Sequence, residues 1–364
     1  MRMDAVREGT RKFAAVWLAV ILLALAACGG GSGDGGPAGS PGTEGNAQSI
    51  PQNSGERQQS GEPQTLQKVK VVLDWTPNTN HTGLYVAKAK GYWEERGLDV
   101  EIVMPPETGA EAMVASGAAE FGVSYQESVT LAREQEVPVV SVAAVIQHNT
   151  SGFASPADKN IREPKDFEGK RYGGWGSPVE QAVIESLMQE QGADVGKVEF
   201  INIGNADFFT AVRRDIDFAW IYYGWTGIEA ELRDFPLNVV YLTDYTEKLD
   251  YYTPVLITSE NMIREKPDIV RAFVEGAAAG YGFAIGNPDE AADLLLAAVP
   301  ELDAELVKAS QRWLSPRYQD DAVRWGEQKR EVWVNYGEWM AEHGLLKPGL
   351  DYDAMFTNEF LPGK

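Results

Sequence analysis

Short apolar segments alternate with segments of helical periodicity from residue 68 onward. The β-branched run at residues 68–73 predicts a buried strand, and residues 83–89 predict a helix that breaks at Gly91. Residues 97–103 predict the next strand. Strands and helices that alternate over short connections are typical of parallel sheets covered by helices. We therefore expect an α/β fold with parallel sheets.

The alternation runs twice along the chain. The first series extends through a predicted strand at residues 139–146, and the second begins with strand, turn and helix from Arg171 onward. From Asn261 the chain is mostly helical. Two such halves predict two lobes, with chain crossings near Phe153 and near residues 252–254. The predicted division is lobe 1, residues 68–153 and 254–364, and lobe 2, residues 154–253.

Residues 1–27 predict a signal peptide rather than part of a fold. Four basic residues precede an uncharged apolar run from Phe13 to Ala26, which is too short for an ordinary transmembrane helix. The run ends in Leu-Ala-Ala-Cys28, which resembles the bacterial lipobox, whose cysteine is lipidated and begins the mature chain. A free cysteine after an ordinary signal is the alternative. Cys28 is the only cysteine, so no disulfide is available within the chain.

Residues 28–67 are mostly Gly, Ser, Pro, Gln and Asn, a composition typical of a flexible tether. Removal of the signal peptide leaves 28 basic and 52 acidic residues and a formal charge of −24. This charge disfavours nucleic acid and anionic membrane surfaces as partners. We expect a body anchored by its N-terminal lipid to the extracytoplasmic face of the cell membrane.

Two α/β lobes on an exported, lipid-anchored chain are the architecture of the bilobal solute receptors of importers. We therefore expect the two-lobed periplasmic-binding-protein fold (type II), with a ligand cleft between the lobes and with the membrane subunits of an importer as partners. In such sheets ligands bind beyond the carboxyl ends of the strands. The sequence contains no motif of nucleotide hydrolysis or nucleophilic catalysis, so we expect no enzyme and no cofactor.

An unusual polar turn follows the first predicted strand. Asp74, Trp75, Asn78, Asn80 and His81 are expected to face the cleft there. The Pro-Asn-Thr-Asn stretch is equally a good turn and helix-cap sequence, and a structural histidine is the alternative for His81. With two other histidines and no further cysteine in the chain, a metal site is not expected.

The next predicted turn places Tyr125 and Gln126 at the cleft. Ser124 and Glu127 have the spacing of a capping box, which accounts for Glu127 without a ligand. In the second half, Ser177 at the N-cap and Glu180 three residues later predict a helix start.

That helix start leaves Trp175 exposed just before it, and Glu180 is either a cap or a ligand carboxylate. Trp220, Tyr222 and Tyr223 end a strand that opens on the same cleft, although alternation places some of these rings in the core.

The proposed cleft is rich in aromatic rings, amides and carboxylates and poor in Lys and Arg. Sulfonate, nitrate and phosphate ligands need cations or anion-binding nests, so a flat, neutral or weakly basic heteroaromatic ligand fits better. Rings would sandwich its faces, and a carboxylate, Asp74 or Glu180, would accept hydrogen bonds from its edge.

Five separated segments together resemble the thiamine-pyrimidine-precursor family, and more closely its lipoprotein receptors that deliver formylaminopyrimidine to an ABC importer. They begin at residues 73, 122, 143, 173 and 220 as LDWTPNTNHTGLYVAKAKGYW, GVSYQESVTLA, AAVIQHNTSGFAS, GGWGSPVEQA and WIYYGWTGIEAEL. The resemblance implies ligand contacts from Asp74, Trp75, His81, Tyr125, Gln126, Trp175, Glu180, Trp220 and Tyr222. Thr226 departs from the family's pattern, in which a carboxylate follows the second Trp of the last segment.

Two other activities occur among relatives of this family. Some bind riboflavin, which makes riboflavin or another heteroaromatic ligand the first alternative. The fungal-type pyrimidine synthase has the same fold, but resemblance to that enzyme requires a cysteine-rich motif, and this chain has no cysteine beyond Cys28.

Overall fold

The computed structural model describes residues 65–204 and 206–363. The predicted signal peptide, Cys28 and residues 28–64 of the predicted tether lie outside the described residues. Within the described part of the chain, no helix combines the length and the apolar character needed to cross a bilayer.

Two five-stranded sheets form the framework, with strands numbered along the chain. The first sheet contains β1 (Gln67–Val72), β2 (Leu98–Val103), β3 (Phe121–Ser124), β4 (Val139–Ala144) and β10 (Val255–Ser259) in the order β2-β1-β3-β10-β4. The second contains β5 (Ser151–Pro156), β6 (Arg171–Gly174), β7 (Glu199–Asn202), β8 (Phe218–Tyr222) and β9 (Leu237–Tyr241) in the order β7-β6-β8-β5-β9. The predicted α/β class is confirmed.

The prediction of parallel sheets is wrong for one strand in the interior of each sheet. In the first sheet β1 pairs in parallel with β2 and β3, but β10 is antiparallel to β3 and β4. In the second sheet β5 is antiparallel to β8 and β9. Both strands lie where the chain passes between the sheets, so they do not belong to a strand-helix-strand unit. The rule that the two strands of a strand-helix-strand unit run parallel therefore does not apply to β5 and β10.

No strand was predicted for the segment that forms β5. All six of its residues are buried, yet Ser, Gly, Ala and Pro give it no alternating pattern. Gly152 packs against β9 so closely that an added Cβ would lie 2.6 Å from the Val240 carbonyl oxygen.

Helices cover both sheets. They are α1 (Thr82–Ala89), α2 (Gly109–Ala115), α3 (Gln126–Glu134), α4 (Pro178–Glu190), α5 (Phe208–Arg214), α6 (Ile228–Leu232), α7 (Glu260–Glu265), α8 (Pro267–Gly286), α9 (Pro288–Ala298), α10 (Ala304–Leu314) and α11 (Arg330–Glu342). The core of the first sheet includes stacked rings of Trp93, Phe121 and Phe273. The core of the second sheet includes Trp339 and Met340 of α11. The helices that follow β10 therefore contact both sheets.

The two crossings between the sheets are joined by hydrogen bonds. His148 Nδ1 lies 2.6 Å from Asp250 Oδ2, and the Asn149 backbone N–H donates to Asp250 Oδ1 at 2.8 Å. His148 Nε2 also lies 3.3 Å from Asp321 Oδ1. The hydrogen bond to Asp250 raises the pKa of His148 to about 9, against the opposing effect of burial and with the help of both carboxylate charges.

Close contact between α1 and α8 depends on a glycine. An added Cβ at Gly280 would lie 2.0 Å from the Gly83 carbonyl oxygen, so the two helix backbones approach without an intervening side chain. Gly282, one half-turn further along α8, is exposed and has no atom within 4 Å of an added Cβ.

These two glycines predict opposite effects of the same substitution. Gly280→Ala should destabilise the protein by about 1–3 kcal/mol, because the helices must separate. Gly282→Ala should stabilise it by about 0.5–1 kcal/mol, because alanine loses less backbone entropy in a helix. Urea unfolding of both variants beside the wild type measures the difference. Equal free energies of unfolding for the two variants would contradict the packing described here.

Candidate ligand-binding cleft

The carboxylate of Asp74, just after β1, is held from two sides. His81 Nε2 lies 2.5 Å from its Oδ1, and the Tyr125 hydroxyl donates to its Oδ2 at 2.6 Å. Burial alone would raise the pKa of Asp74, but the charge interaction and hydrogen bond with His81 and the hydrogen bond from Tyr125 outweigh it and lower that pKa. Asp74 is therefore an ionised group with both oxygens engaged inside the protein.

The imidazole of His81 is part of the turn. Its Nδ1 accepts the Asn78 backbone N–H at 3.2 Å, and the Asn78 side chain accepts the Asn80 N–H at 2.9 Å. Because Nδ1 is an acceptor, a neutral His81 carries its proton on Nε2 and donates it to Asp74. His81 is fully buried.

Two tyrosines from the helices that follow β10 donate hydrogen bonds to the backbone of the same turn. The Tyr281 hydroxyl donates to the Asn80 carbonyl at 2.7 Å, and the Tyr318 hydroxyl donates to the Thr79 carbonyl at 2.5 Å. Trp75 is left as the exposed ring of this turn, with 48% of its surface accessible.

Glu180 holds the corresponding turn of the second sheet. Its Oε1 accepts the Tyr172 hydroxyl at 2.6 Å and the Trp175 N–H at 3.1 Å. Its Oε2 accepts the N–H groups of Gly176 and Ser177, each at 2.8 Å. The capping box of α4 predicted from Ser177 and Glu180 is present.

The Glu180 carboxylate fills the space beneath the Trp175 turn. An added Cβ at Gly174 would lie 2.1 Å from its Oε1, so only glycine fits there. Trp175 is 45% exposed, like Trp75 in the first turn.

A cavity of about 340 Å³ lies beside these turns, and tryptophans dominate its walls. Its lining is Trp75, Gly173, Gly174, Trp175, Ile203, Gly204, Ala206, Asp207, Phe208, Phe209, Ala219, Trp220, Ile221, Trp225, Thr226 and Glu229. The ring centroids of Trp175 and Trp220 are 5.7 Å apart. The described lining contains no Lys, Arg or His, so the walls offer aromatic faces and acidic groups but no cation for an anionic ligand.

The two acidic groups of the lining already have partners. Asp207 Oδ1 accepts the Thr210 N–H at 2.9 Å at the start of α5. The Glu229 carboxylate pairs with Arg233 one turn later in α6.

The predicted site residues are distributed between this cavity and the protein interior. Trp75, Trp175 and Trp220 line the cavity, and Tyr222 follows Ile221 at the end of β8. By contrast, Gln126 is fully buried and bridges internal groups, because its amide donates to the Val332 carbonyl and accepts the Tyr252 N–H.

Two further predicted residues lie apart from the tryptophan walls. Tyr223 lines a separate surface groove with Tyr241, and its hydroxyl donates to Glu231 at 2.5 Å. Asn80 is partly buried, and its backbone groups bind Asn78 and Tyr281.

The capping box predicted from Ser124 and Glu127 is absent from α3. Tyr125 is the N-cap residue, and the Ser124 hydroxyl donates to Glu111 of α2 instead. Glu127 therefore does not cap α3, although its spacing from Ser124 predicted that it would. Burial and the nearby charge of Glu180 raise the pKa of Glu127 to about 7, against a lowering effect of the Tyr336 hydroxyl.

Other lining residues were not singled out by the sequence reasoning. Phe208 and Phe209 begin α5, and Trp225 lies in the π-helical turn Tyr223–Gly227. Trp225 belongs to the same aromatic run as Tyr222 and Tyr223, so the sequence could have identified it as a candidate lining residue. Phe208 and Phe209 look like core residues in the sequence, and only their position beside the second sheet shows that they reach the cavity.

The described residues contain no group of three or more His, Cys, Asp or Glu side chains placed to hold a metal ion.

The four hydrogen bonds that Glu180 accepts predict that its carboxylate stabilises the fold. Glu180→Gln keeps the side-chain shape but turns an N–H₂ group toward N–H donors, so it should destabilise the protein by about 1–3 kcal/mol. Glu190→Gln, an exposed change on the same helix, should have little effect. Thermal unfolding of the two variants tests this, and equal melting temperatures would show that the carboxylate does not hold the turn.

Comparisons with known proteins agree with the sequence analysis. The model of the family described as NMT1/THI5 like matches residues 78–291. A formylaminopyrimidine-binding protein from Halalkalibacterium halodurans is 30% identical over 312 residues, which cover 82% of this chain and 92% of that protein. The riboflavin-binding protein RibY from Chloroflexus aurantiacus is 27% identical, with coverages of 82% and 87%.

An enzyme also occurs among the relatives. The 4-amino-5-hydroxymethyl-2-methylpyrimidine phosphate synthase from Legionella pneumophila is 23% identical, covering 81% of this chain and 92% of the enzyme. Both binding proteins are more similar to this chain than this synthase is.

Solved structures confirm the predicted periplasmic-binding-protein fold. The periplasmic aliphatic sulphonate binding protein SsuA from Escherichia coli superposes with a TM-score of 0.62 at 13% identity. The superposition covers 82% of this chain and 94% of SsuA.

Proposed function

This chain belongs to the NMT1/THI5-like family, and we propose that it is an extracytoplasmic solute-binding protein that captures formylaminopyrimidine, a thiamine pyrimidine precursor, for an ABC importer. The importer's permease and ATPase are its proposed partners. A relative with 30% identity that is named for this ligand supports the proposal.

The composition of the cavity is the observation that carries the proposal. Among the described residues, four tryptophans, two carboxylates and no cation line a space of about 340 Å³. Aromatic faces bind flat heteroaromatic rings by stacking, and acidic surroundings favour ligands that carry N–H donors. An aminopyrimidine has both features, whereas a sulfonate or phosphate finds no countercharge there.

Binding without chemical conversion is the expected activity. The relatives of highest identity reported above are named as binding proteins, and the cysteine-rich motif that characterises the pyrimidine synthase cannot be formed by a chain with one cysteine. Riboflavin is the second candidate ligand, supported by the relative RibY and by the aromatic cavity walls.

The two sheets support the proposed division into two lobes. We propose that residues 68–153 with 254–364 form one lobe and residues 154–253 the other, with the ligand cleft between them. The strand β4 ends at Ala144 and β5 begins at Ser151, so the first crossing lies between these residues. Trp75, from the turn after β1, and Trp220, from β8, line the same cavity, which supports a site shared by both lobes.

Trp75 provides the test of the ligand. Trp75→Ala should weaken binding of formylaminopyrimidine by about 0.5–1.5 kcal/mol or more, the value of one aromatic pair. The melting temperature should not change, because the ring is 48% exposed. Isothermal titration calorimetry with formylaminopyrimidine and with riboflavin measures both affinities.

The control for this variant is Leu232→Ala, which removes another exposed apolar side chain that does not line the cavity. It should bind like the wild type. Binding of riboflavin without the pyrimidine would favour the second candidate, and unchanged affinity of Trp75→Ala would place the site elsewhere.

We further propose that the mature chain begins at a lipidated Cys28, because a lipobox-like sequence precedes a Gly-rich tether. Cys28→Ala should release the protein from the membrane fraction into the soluble fraction. Fractionation with detection of the protein measures this, and membrane retention of the variant equal to that of the wild type would refute lipid anchoring.

A further inference from the structure

A contact between α10 and the second sheet lies beside the cavity. It joins α10 to the π-helical turn Tyr223–Gly227, which follows β8 and contributes Trp225 and Thr226 to the cavity lining. On the proposed division into lobes, α10 belongs to the first lobe and this turn belongs to the second. The contact therefore connects the two lobes at the edge of the candidate site.

Ser310 of α10 makes the polar part of this contact. Its hydroxyl donates a hydrogen bond to the Gly224 carbonyl, and its Oγ lies 2.6 Å from Thr79 Oγ1. Because a carbonyl oxygen can only accept, the one proton of the Ser310 hydroxyl is directed to Gly224, and the Thr79 hydroxyl must donate to Ser310. Ser310 and Thr79 are both fully buried.

Thr79 belongs to the turn after β1 that also carries Trp75. The Tyr318 hydroxyl donates to the Thr79 carbonyl, so the segment that follows α10 holds this turn as well. Trp75 lines the cavity from the first sheet, and Trp225 lines it from the turn after β8. The Ser310 hydroxyl thus links a turn of the first sheet to a turn of the second, and each turn carries a tryptophan of the cavity walls.

Apolar packing surrounds this hydrogen bond. An added Cβ at Gly224 would lie 3.0 Å from Leu314 Cγ and 3.1 Å from Trp313 Cζ3, so the turn lies directly on α10. The ring centroids of Tyr223 and Trp313 are 5.5 Å apart. Trp225 packs against a buried apolar cluster that includes residues of α9 and α10. In this arrangement the Gly224 carbonyl and the Ser310 hydroxyl satisfy each other away from water.

We propose that Ser310 is a positioning residue that favours closure of the two lobes around the ligand. The inference rests on the proposed function and on the proposed division into lobes. When the lobes separate, water replaces the hydrogen bond between Ser310 and Gly224, whereas the closed protein forms it internally. The bond therefore stabilises the closed population, in which the turns that carry Trp75 and Trp225 border the same cavity.

Ser310 acts on binding without contacting the ligand. It does not line the cavity, so loss of its hydroxyl changes the equilibrium between open and closed lobes and removes no ligand contact. The affinity should therefore decrease by the same factor for every ligand that the wild type binds. The decrease should appear mainly as faster dissociation, because the hydrogen bond between the lobes forms only after closure.

Ser310→Ala tests the proposal. This variant of the full-length, detergent-solubilised chain should bind formylaminopyrimidine about 2- to 12-fold more weakly than the wild type, the factor that corresponds to one net hydrogen bond. Isothermal titration calorimetry with formylaminopyrimidine and with riboflavin measures the factor for each ligand. Stopped-flow tryptophan fluorescence measures the dissociation rate constant, which should increase by a similar factor.

Ser315→Ala is the matched control. Ser315 is 2% exposed, and its hydroxyl donates to the Ala284 carbonyl at 2.8 Å and accepts Gln311 Nε2 at 2.9 Å. All three residues belong to the helical region that follows β10, so these hydrogen bonds do not pass between the proposed lobes. Both serine variants should lower the melting temperature by similar amounts, but Ser315→Ala should bind like the wild type.

The outcomes also distinguish this inference from the proposed function. Wild-type affinity in Ser310→Ala would overturn the positioning role and leave the proposed function standing. Equal weakening in both serine variants would do the same, because it would reflect lost stability rather than lost closure. Factors that differ between two bound ligands would mean that Ser310 contacts the ligand, against the proposal. A wild-type chain that binds neither ligand would overturn both the proposed function and this inference.

Discussion

The exposed tryptophans of the cavity depend on carboxylates that are fully engaged behind them. Glu180 accepts three backbone N–H groups from the turn that carries Trp175, and Asp74 binds His81 beneath the turn that carries Trp75. An exposed ring on a loop cannot be oriented by core packing, because one of its faces contacts solvent. Charge-assisted hydrogen bonds hold these turns instead, so the protein alone fixes the position of the exposed rings.

The chain crossings tie these turns to the rest of the protein. Gln126 in the first turn of α3 binds the Tyr252 N–H of the return crossing, and the Tyr252 hydroxyl accepts the Lys329 N–H just before α11. His148 and Asp250 join the two crossings directly. The helix that carries Glu127 is thus hydrogen-bonded to the segment that leads from the second sheet to the first.

Local rules in the sequence predicted local features well and failed where partners were distant. Ser177, Pro178 and Glu180 gave the correct start of α4, because a capping box is formed within four residues. The same rule failed at Ser124 and Glu127, since Ser124 donates to Glu111 on another helix. β5 was missed because its burial follows from its central place in the sheet and not from its composition. The pattern identified Trp75 and Trp175 but could not show that His81 and Gln126 would be buried.

The protein treats the carboxylates of Asp74, Glu180 and Glu127 differently. Asp74 and Glu180 show that this chain supplies donors to a carboxylate where the fold requires one. At Glu127 the described residues supply only the contact of the Tyr336 hydroxyl at 3.5 Å, and burial and the charge of Glu180 raise the pKa of Glu127 to about 7. Ionised Glu127 is therefore less favourable in the folded protein than in the unfolded chain.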